Sequence, residues 1–448
     1  MSRFVVVGAG ITGLTAAYRL AQQGADVTVV EADDHIGGKI RTSPFADAPA
    51  VEEGGDVFLA RVPWATDLCT ELGLGNDLIS PSAASASVWW NGRMHPIPAG
   101  LVLGVPARLG GLAASRLLTP RGKIRAAIEP ILPRHGAADS VGTLVRGRFG
   151  SQVLERLVDP LLGGINAGDA DHLSLAASAP QLAAAASAHR SLLLGLRRNG
   201  PTTSGPIFFA LRQGMSALPA ALAAQLVDVR VSTPVRSISP NGSAWRVETD
   251  RETLNADGVV LAVPAFAASA LLSDFSPDVA ASLGTIPYAS VAMITLSFPQ
   301  SAFNVPLSGA GYLVPKPQQH GVTAVSFGSN KWPAWRVDDQ VILRVSLGRY
   351  GNEQAAEGDT ATLLDRAMAE IRTPLGLRSE QSHSRVTVWK KAFPQYLPGH
   401  LDRVAMLTST LARDWPTLRL AGAAFDGIGI PACIRQGNQV ARTMTQAS

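Results

Sequence analysis

Two glycine-rich stretches near the start of the chain have the residue types that bind a nucleotide diphosphate. Gly8, Ala9, Gly10, Ile11, Thr12 and Gly13 form a GxGxxG run, and Glu31 lies 23 residues beyond Gly8. In such a turn the first glycine allows the tight bend, the second lets backbone amides approach a pyrophosphate, and the third lets a helix pack on a strand. The helix that follows directs its partially positive N-terminus at the same anion. The Glu31 carboxylate can accept hydrogen bonds from both hydroxyls of an adenosine ribose and disfavours a 2′-phosphate. Ala32 follows the acid, and Gly37, Gly38 and Lys39 come soon after. This second glycine pair can bring backbone to the other side of the diphosphate, as an extended FAD requires and a nicotinamide dinucleotide does not.

The elements needed to position these residues are present in order. Residues 4–7 are an apolar run of the buried parallel-strand type, 14–22 read as a helix, and 27–30 as a second strand ending at Glu31. Elsewhere the chain has no GxSxG or HExxH, and its eight histidines do not cluster at metal-ligand spacing, so the reading has no metal. No catalytic acid or base is assigned: the difficult chemistry sits on the cofactor. The two cysteines, Cys69 and Cys433, are too few for a disulfide framework and fit a reducing cytoplasm. A net charge of +4 without a dense basic run makes nucleic acid a poor partner. No apolar stretch reads as a transmembrane anchor. Residues 99–118 read as an amphipathic helix compatible with peripheral membrane contact.

Later segments carry a family resemblance. Glu53, Gly54, Gly55, Asp56, Val57, Phe58, Leu59, Ala60 and Arg61 form one; Phe149 and Gly150, then Pro160 through Asp169, then Leu173 and Ser174 form another. Asn330 to Pro333, then Pro394, Gln395 and Tyr396, then Gly427 to Ile434 complete the set. The chain resembles the bacterial FAD-dependent coproporphyrinogen III oxidase and protoporphyrinogen oxidase family of the flavin amine oxidase superfamily. It departs at Gly55, Val62 and Asn166, where relatives usually have Pro, Lys and Tyr. The resemblance implies FAD, three two-electron dehydrogenations of a porphyrinogen in haem biosynthesis, and O2 as acceptor with H2O2 as by-product. It also implies contact with a ferrochelatase-type haem enzyme. Carried over by motif, Gly54, Gly55, Asp56 and Val57 lie beside the flavin, and Val235 meets the adenine through its backbone. Gly422, Ile428, Gly429 and Ile430 face the pyrophosphate and flavin, with Trp389 an aromatic neighbour.

A porphyrinogen methylene bridge is flanked by two electron-rich pyrroles. Hydride loss therefore leaves a delocalised cation whose N–H proton passes readily to water, and position matters more than a strong base. Coproporphyrinogen carries four propionates and protoporphyrinogen two, so cations are expected around the pocket. Arg61, Arg108, Lys331, Lys390 and Lys391 are the candidates. With no membrane anchor read, the tetracarboxylate is preferred. Protoporphyrinogen IX oxidase, another amine oxidase-type flavoenzyme and a catalytically inactive FAD-binding partner of haem enzymes are the alternatives.

The expected fold class is α/β. A discontinuous Rossmann-type FAD domain takes residues 1–98, 207–269 and 412–448, a helical lobe takes 99–206, and a mixed-sheet substrate domain takes 270–411.

Overall fold

Consecutive β-branched residues build strand β1 (Arg3–Val7), which enters helix α1 (Ile11–Gln22) through the glycine turn and then strand β2 (Asp26–Val30). The computed structural model describes residues 1–134, 136–198 and 205–447. In it β1 and β2 join a parallel sheet whose order is Asp228–Arg230, β2, β1, Gly258–Leu261, Leu418–Leu420. Val6, Val29 and Val260 are fully buried, which fits strands covered on both faces. The sheet draws strands from widely separated parts of the chain, so chain order alone does not give its neighbours.

The second sheet has seven strands, in the order His383–Pro394, Tyr288–Pro299, Gln340–Leu347, Val322–Ser326, Gly311–Leu313, Ala86–Trp90, Arg93–Pro96. All pairs are antiparallel except Gly311–Leu313 with Ala86–Trp90, so the sheet is mixed. One face packs Ile294, Leu296, Leu343 and Val345 against Leu363, Ala367 and Ile371 of the helix Thr360–Leu375. Two of its strands, Ala86–Trp90 and Arg93–Pro96, come from the part of the chain that the sequence assigns to the nucleotide-binding unit.

Residues 99–118 do not form the amphipathic helix their composition predicts. They make the paired strands Leu101–Val102 and Val105–Pro106 and a short helix, Gly110–Ala114. Gly100 and Gly104 adopt positive φ, and a Cβ at Gly104 would meet the Leu157 carbonyl oxygen at 2.7 Å, so turns and close packing override the apolar pattern. The alanine-rich residues 175–188 form two helices, Leu175–Ser178 and Pro180–Ala188, because Pro180 starts a new helix. Residues 228–241 form two strands, Asp228–Arg230 and Val235–Asn241, separated by a turn in which Ser232 has φ 48°. The lobe core is otherwise helical, around Leu144, Phe149, Leu154 and Leu157. Its predicted stretch 199–204 lies outside the described residues.

Candidate functional site

The two glycine stretches meet. The Gly37 N–H donates to the Ala9 carbonyl at 2.8 Å, and Gly10 and Gly37 form a parallel bridge, so the second pair docks on the first turn. Gly8 sits at φ +105°, and a Cβ at Gly13 would overlap the Gly8 carbonyl oxygen; both positions require glycine for different reasons. At Gly10 a side chain would enter open space. Glu31 turns back over this turn, its Oε2 accepting the Ala9 N–H at 2.7 Å and its Oε1 the Asp33 N–H at 3.0 Å. Each carboxylate oxygen keeps a second acceptor site for a ribose hydroxyl. The Thr233 N–H donates to the Glu31 carbonyl at 2.7 Å, which brings Val235 to the end of β2.

The C-terminal helix Ile430–Ala447 lies along α1. Cys433 meets Thr12, Gly437 meets Thr12, Thr15 and Ala16, and the Arg19 Nε donates to Asn438 Oδ1 at 2.9 Å. Contacts rise together in number, so the helices run parallel and present both N-termini at one end. Gly422, where a side chain would meet open space, precedes this helix. Two positive helix ends, two glycine turns and an acid at ribose distance suit a dinucleotide diphosphate.

Residues 52–56 form a strap against the free face of the seven-stranded sheet. Arg344 Nη1 donates to the Glu52 and Gly54 carbonyls at 3.2 and 2.8 Å. Arg385 Nη2 donates to the Val51 carbonyl at 3.2 Å, and Trp389 Nε1 to that of Glu53 at 2.9 Å. The Glu53 carboxylate accepts from Ser43 at 2.7 Å and Thr387 at 3.2 Å. Asp56 receives Lys331 Nζ at 2.6 Å and Trp332 Nε1 at 3.3 Å, with Arg344 Nη2 at 3.4 Å. Burial opposes charge on Asp56, but the Lys331 and Arg344 cations hold its carboxyl well below the usual carboxylate range. Glu52 differs: burial pushes it up to about 7 despite hydrogen bonds from Thr42 Oγ1 at 2.6 Å and the Met215 N–H at 2.9 Å.

The end of the strand His383–Pro394 joins the remaining parts. Lys39 Nζ donates to the Ala392 carbonyl at 2.9 Å, and Gln395 Nε2 to that of Asn166 at 3.0 Å. Tyr396 Oη donates to the Ala423 carbonyl at 2.6 Å and accepts the Gly427 N–H at 2.9 Å. Lys39 is exposed at its surface, and the protein packed around it lowers its pKa. Ala167 (φ 45°), Ala289, Val291, Tyr350, Trp389 and Phe393 form an apolar cluster at the same junction. The lobe is clamped to the sheet by the buried pair Asp159–Arg349, with two bonds at 2.7 and 2.8 Å.

Among the predicted cations, Arg61, Arg108, Lys390 and Lys391 are exposed, and Lys391 Nζ stands 5.6 Å from the Phe266 ring centre. Lys331 alone of the five is enclosed with an acid. Sequence reading passed over Arg344 and Arg385, although each interrupts an apolar, alternating strand, a pattern that marks a charged side chain turned away from a core. Ile428, Gly429 and Ile430 lie at the start of the C-terminal helix.

Residues 11–445 match the family described as flavin containing amine oxidoreductase. Coproporphyrinogen III oxidase of Bacillus subtilis is 33% identical, across 97% of this chain and 96% of that protein. Human protoporphyrinogen oxidase is 30% identical, across 98% and 97%. A crystal structure of a candidate protoporphyrinogen oxidase from Exiguobacterium superposes with a TM-score of 0.90 at 30% identity, covering 100% of this chain and 99% of that one.

Proposed function

The chain belongs to the flavin containing amine oxidoreductase family, and on that premise we propose that it is an FAD-dependent oxidase that converts coproporphyrinogen III to coproporphyrin III. The observation that carries the cofactor reading is the meeting of the Gly8–Gly13 and Gly37–Gly38 turns under the Glu31 carboxylate, beside two parallel helix N-termini. Full-length similarity to coproporphyrinogen III oxidases supports the substrate.

Gly8 to Gly13, Glu31, Ala32, Gly38, Lys39, Val235, Gly422 and Ile428 to Ile430 would hold the dinucleotide, and Gly54 to Val57 with Trp389 would hold the ring system. When bound, the flavin supplies the hydride acceptor and passes electron pairs to O2, so one coproporphyrinogen and three O2 give one coproporphyrin and three H2O2. The chain's own contribution is placement. Arg344, Arg385 and Trp389 fix the strap on the sheet, and the Ala167, Val291, Tyr350 and Phe393 cluster gives an apolar wall for the tetrapyrrole. The proton released from a pyrrole N–H passes to water, so no buried base is required.

Anaerobic titration of the purified yellow protein with coproporphyrinogen III tests this. Bleaching of the flavin is expected without O2, and coproporphyrin fluorescence once O2 is admitted, because each flavin takes one electron pair and the porphyrin requires loss of three; a flavin that stays oxidised overturns the enzyme reading. Faster turnover of protoporphyrinogen IX would reassign the substrate, in line with the relative in humans. Among the described residues no helix is long and apolar enough to cross a membrane. We place the protein in the cytoplasm, with contact to a ferrochelatase-type enzyme as part of the same proposal.

A further inference from the structure

We propose that Lys331 and Arg344 together form the receptor for one substrate carboxylate, with Asp56 as the residue that positions them. This assignment rests on the porphyrinogen reading and adds to it a location for one propionate.

The first argument is strand alternation. On Gln340–Leu347, Leu343, Val345 and Leu347 face the helix-covered core, so Arg344 and Ser346 face the other side. Ser346 pairs with Met293, and both are half-buried, as is Ser326 on the neighbouring strand. The face therefore borders open space. Gly55, next to Asp56 on the strap, also faces open space.

The second argument is charge. Lys331 and Arg344 share one acid, Asp56, and among the described residues Lys331 has no other ion-pair partner. Arg344 spends Nη1 on the backbone of the strap, and Lys331 Nζ makes a 2.6 Å bond to Asp56, a weaker 3.4 Å contact with Ser326 and stands 5.3 Å from the Trp332 ring centre, which leaves one ammonium proton without an oxygen acceptor. Both cations are largely withdrawn from water, where a surplus positive charge is poorly solvated and an incoming carboxylate relieves it. Burial of Glu52 favours its neutral form and weakens its ability to cancel that surplus. The four exposed cations lack this property: each is already satisfied by water.

The test compares coproporphyrin III with its tetramethyl ester as ligands of the holoenzyme, and measures turnover of coproporphyrinogen III. In Lys331→Met, affinity for the free acid should fall about tenfold or more, affinity for the ester less than about twofold, and KM should rise much more than kcat falls. Lys331→Arg should recover most of the loss. Asp56→Asn enlarges the surplus positive charge, so affinity for the free acid should rise, while kcat should fall because the ammonium is less firmly aimed. The double variant Asp56→Asn with Lys331→Met removes one charge of each sign, so the buried carboxylate is not stranded, and it should show the same acid-selective loss. Equal losses for acid and ester, or an unchanged affinity for the acid, would overturn the receptor. Failure of the wild type to oxidise coproporphyrinogen III would instead overturn the functional reading, and the contrast between acid and ester would still decide the receptor.

Discussion

The proposed nucleotide cradle and the proposed carboxylate receptor under the strap would solve the same problem, holding an anionic ligand, with opposite means. In the cradle, backbone would do the work: the Gly8 to Gly13 turn, the Gly37–Gly38 turn and two helix ends offer amides, and Glu31, bonded to the Ala9 N–H, is the acid proposed to meet a ribose. On the sheet face, side chains would do it: Lys331, Arg344 and Arg385 come from three different stretches and converge on a strap from the N-terminal unit. A cradle made of local backbone tolerates little added volume. A face made of converging charges tolerates volume but not a missing partner.

The contrast orders the expected effects. The largest comes from the clamp that brings the lobe to the sheet: Arg349→Met strands the buried Asp159 carboxylate and should cost about 3–5 kcal/mol, read as a fall in the denaturant midpoint. A smaller loss would show that water reaches the pair. Gly13→Ala comes next, since its Cβ meets backbone and cannot be relieved by a rotamer. A loss of about 1–3 kcal/mol and a lowered flavin-to-protein absorbance ratio are expected, and an unaltered ratio would break the backbone account.

Glu52 sharpens the other side by its pH dependence. The unfolded chain releases this proton near 4.5 and the folded chain holds it to about 7, so stability is full below the lower value and falls as pH rises to the higher. The span corresponds to about 3 kcal/mol at most, and Glu52→Gln should flatten the curve of unfolding midpoint against pH between these limits. The smallest effect is expected at Glu31→Gln, which keeps the shape but halves the acceptor strength toward a ribose. Flavin dissociation should become about tenfold easier in equilibrium dialysis, with a stability loss of about 1 kcal/mol because the amide NH2 leaves the Ala9 or Asp33 N–H without its acceptor.

Legibility followed the same division. The β1, α1 and β2 unit, the second glycine pair and Glu31 were readable because their partners lie within about forty positions of one another, and local spacing constrains local backbone. The strap was readable as a motif through resemblance, but its anchors were not. Arg344 and Arg385 are nearly 300 or more positions from the carbonyls they bind, and nothing in their immediate neighbours names that target. The exposed Arg61, Arg108, Lys390 and Lys391 were indistinguishable from Lys331 in the sequence, because a charged residue type does not state whether an acid will stand beside it. Residues 99–118 misled for a related reason: apolar content suggested a helix, while glycine turns and the approach of Leu157 decided for strands.

By itself, the sequence determined a GxGxxG turn with an acid 23 residues on, a second glycine turn and the family to which the chain belongs. Only the tertiary structure decided which strands border which, that Ala86–Trp90 leaves the first unit for the second sheet, and which cation is enclosed with Asp56. The physical reason is range. Backbone conformation is governed by neighbours along the chain, whereas desolvation and charge pairing depend on groups that only folding brings together.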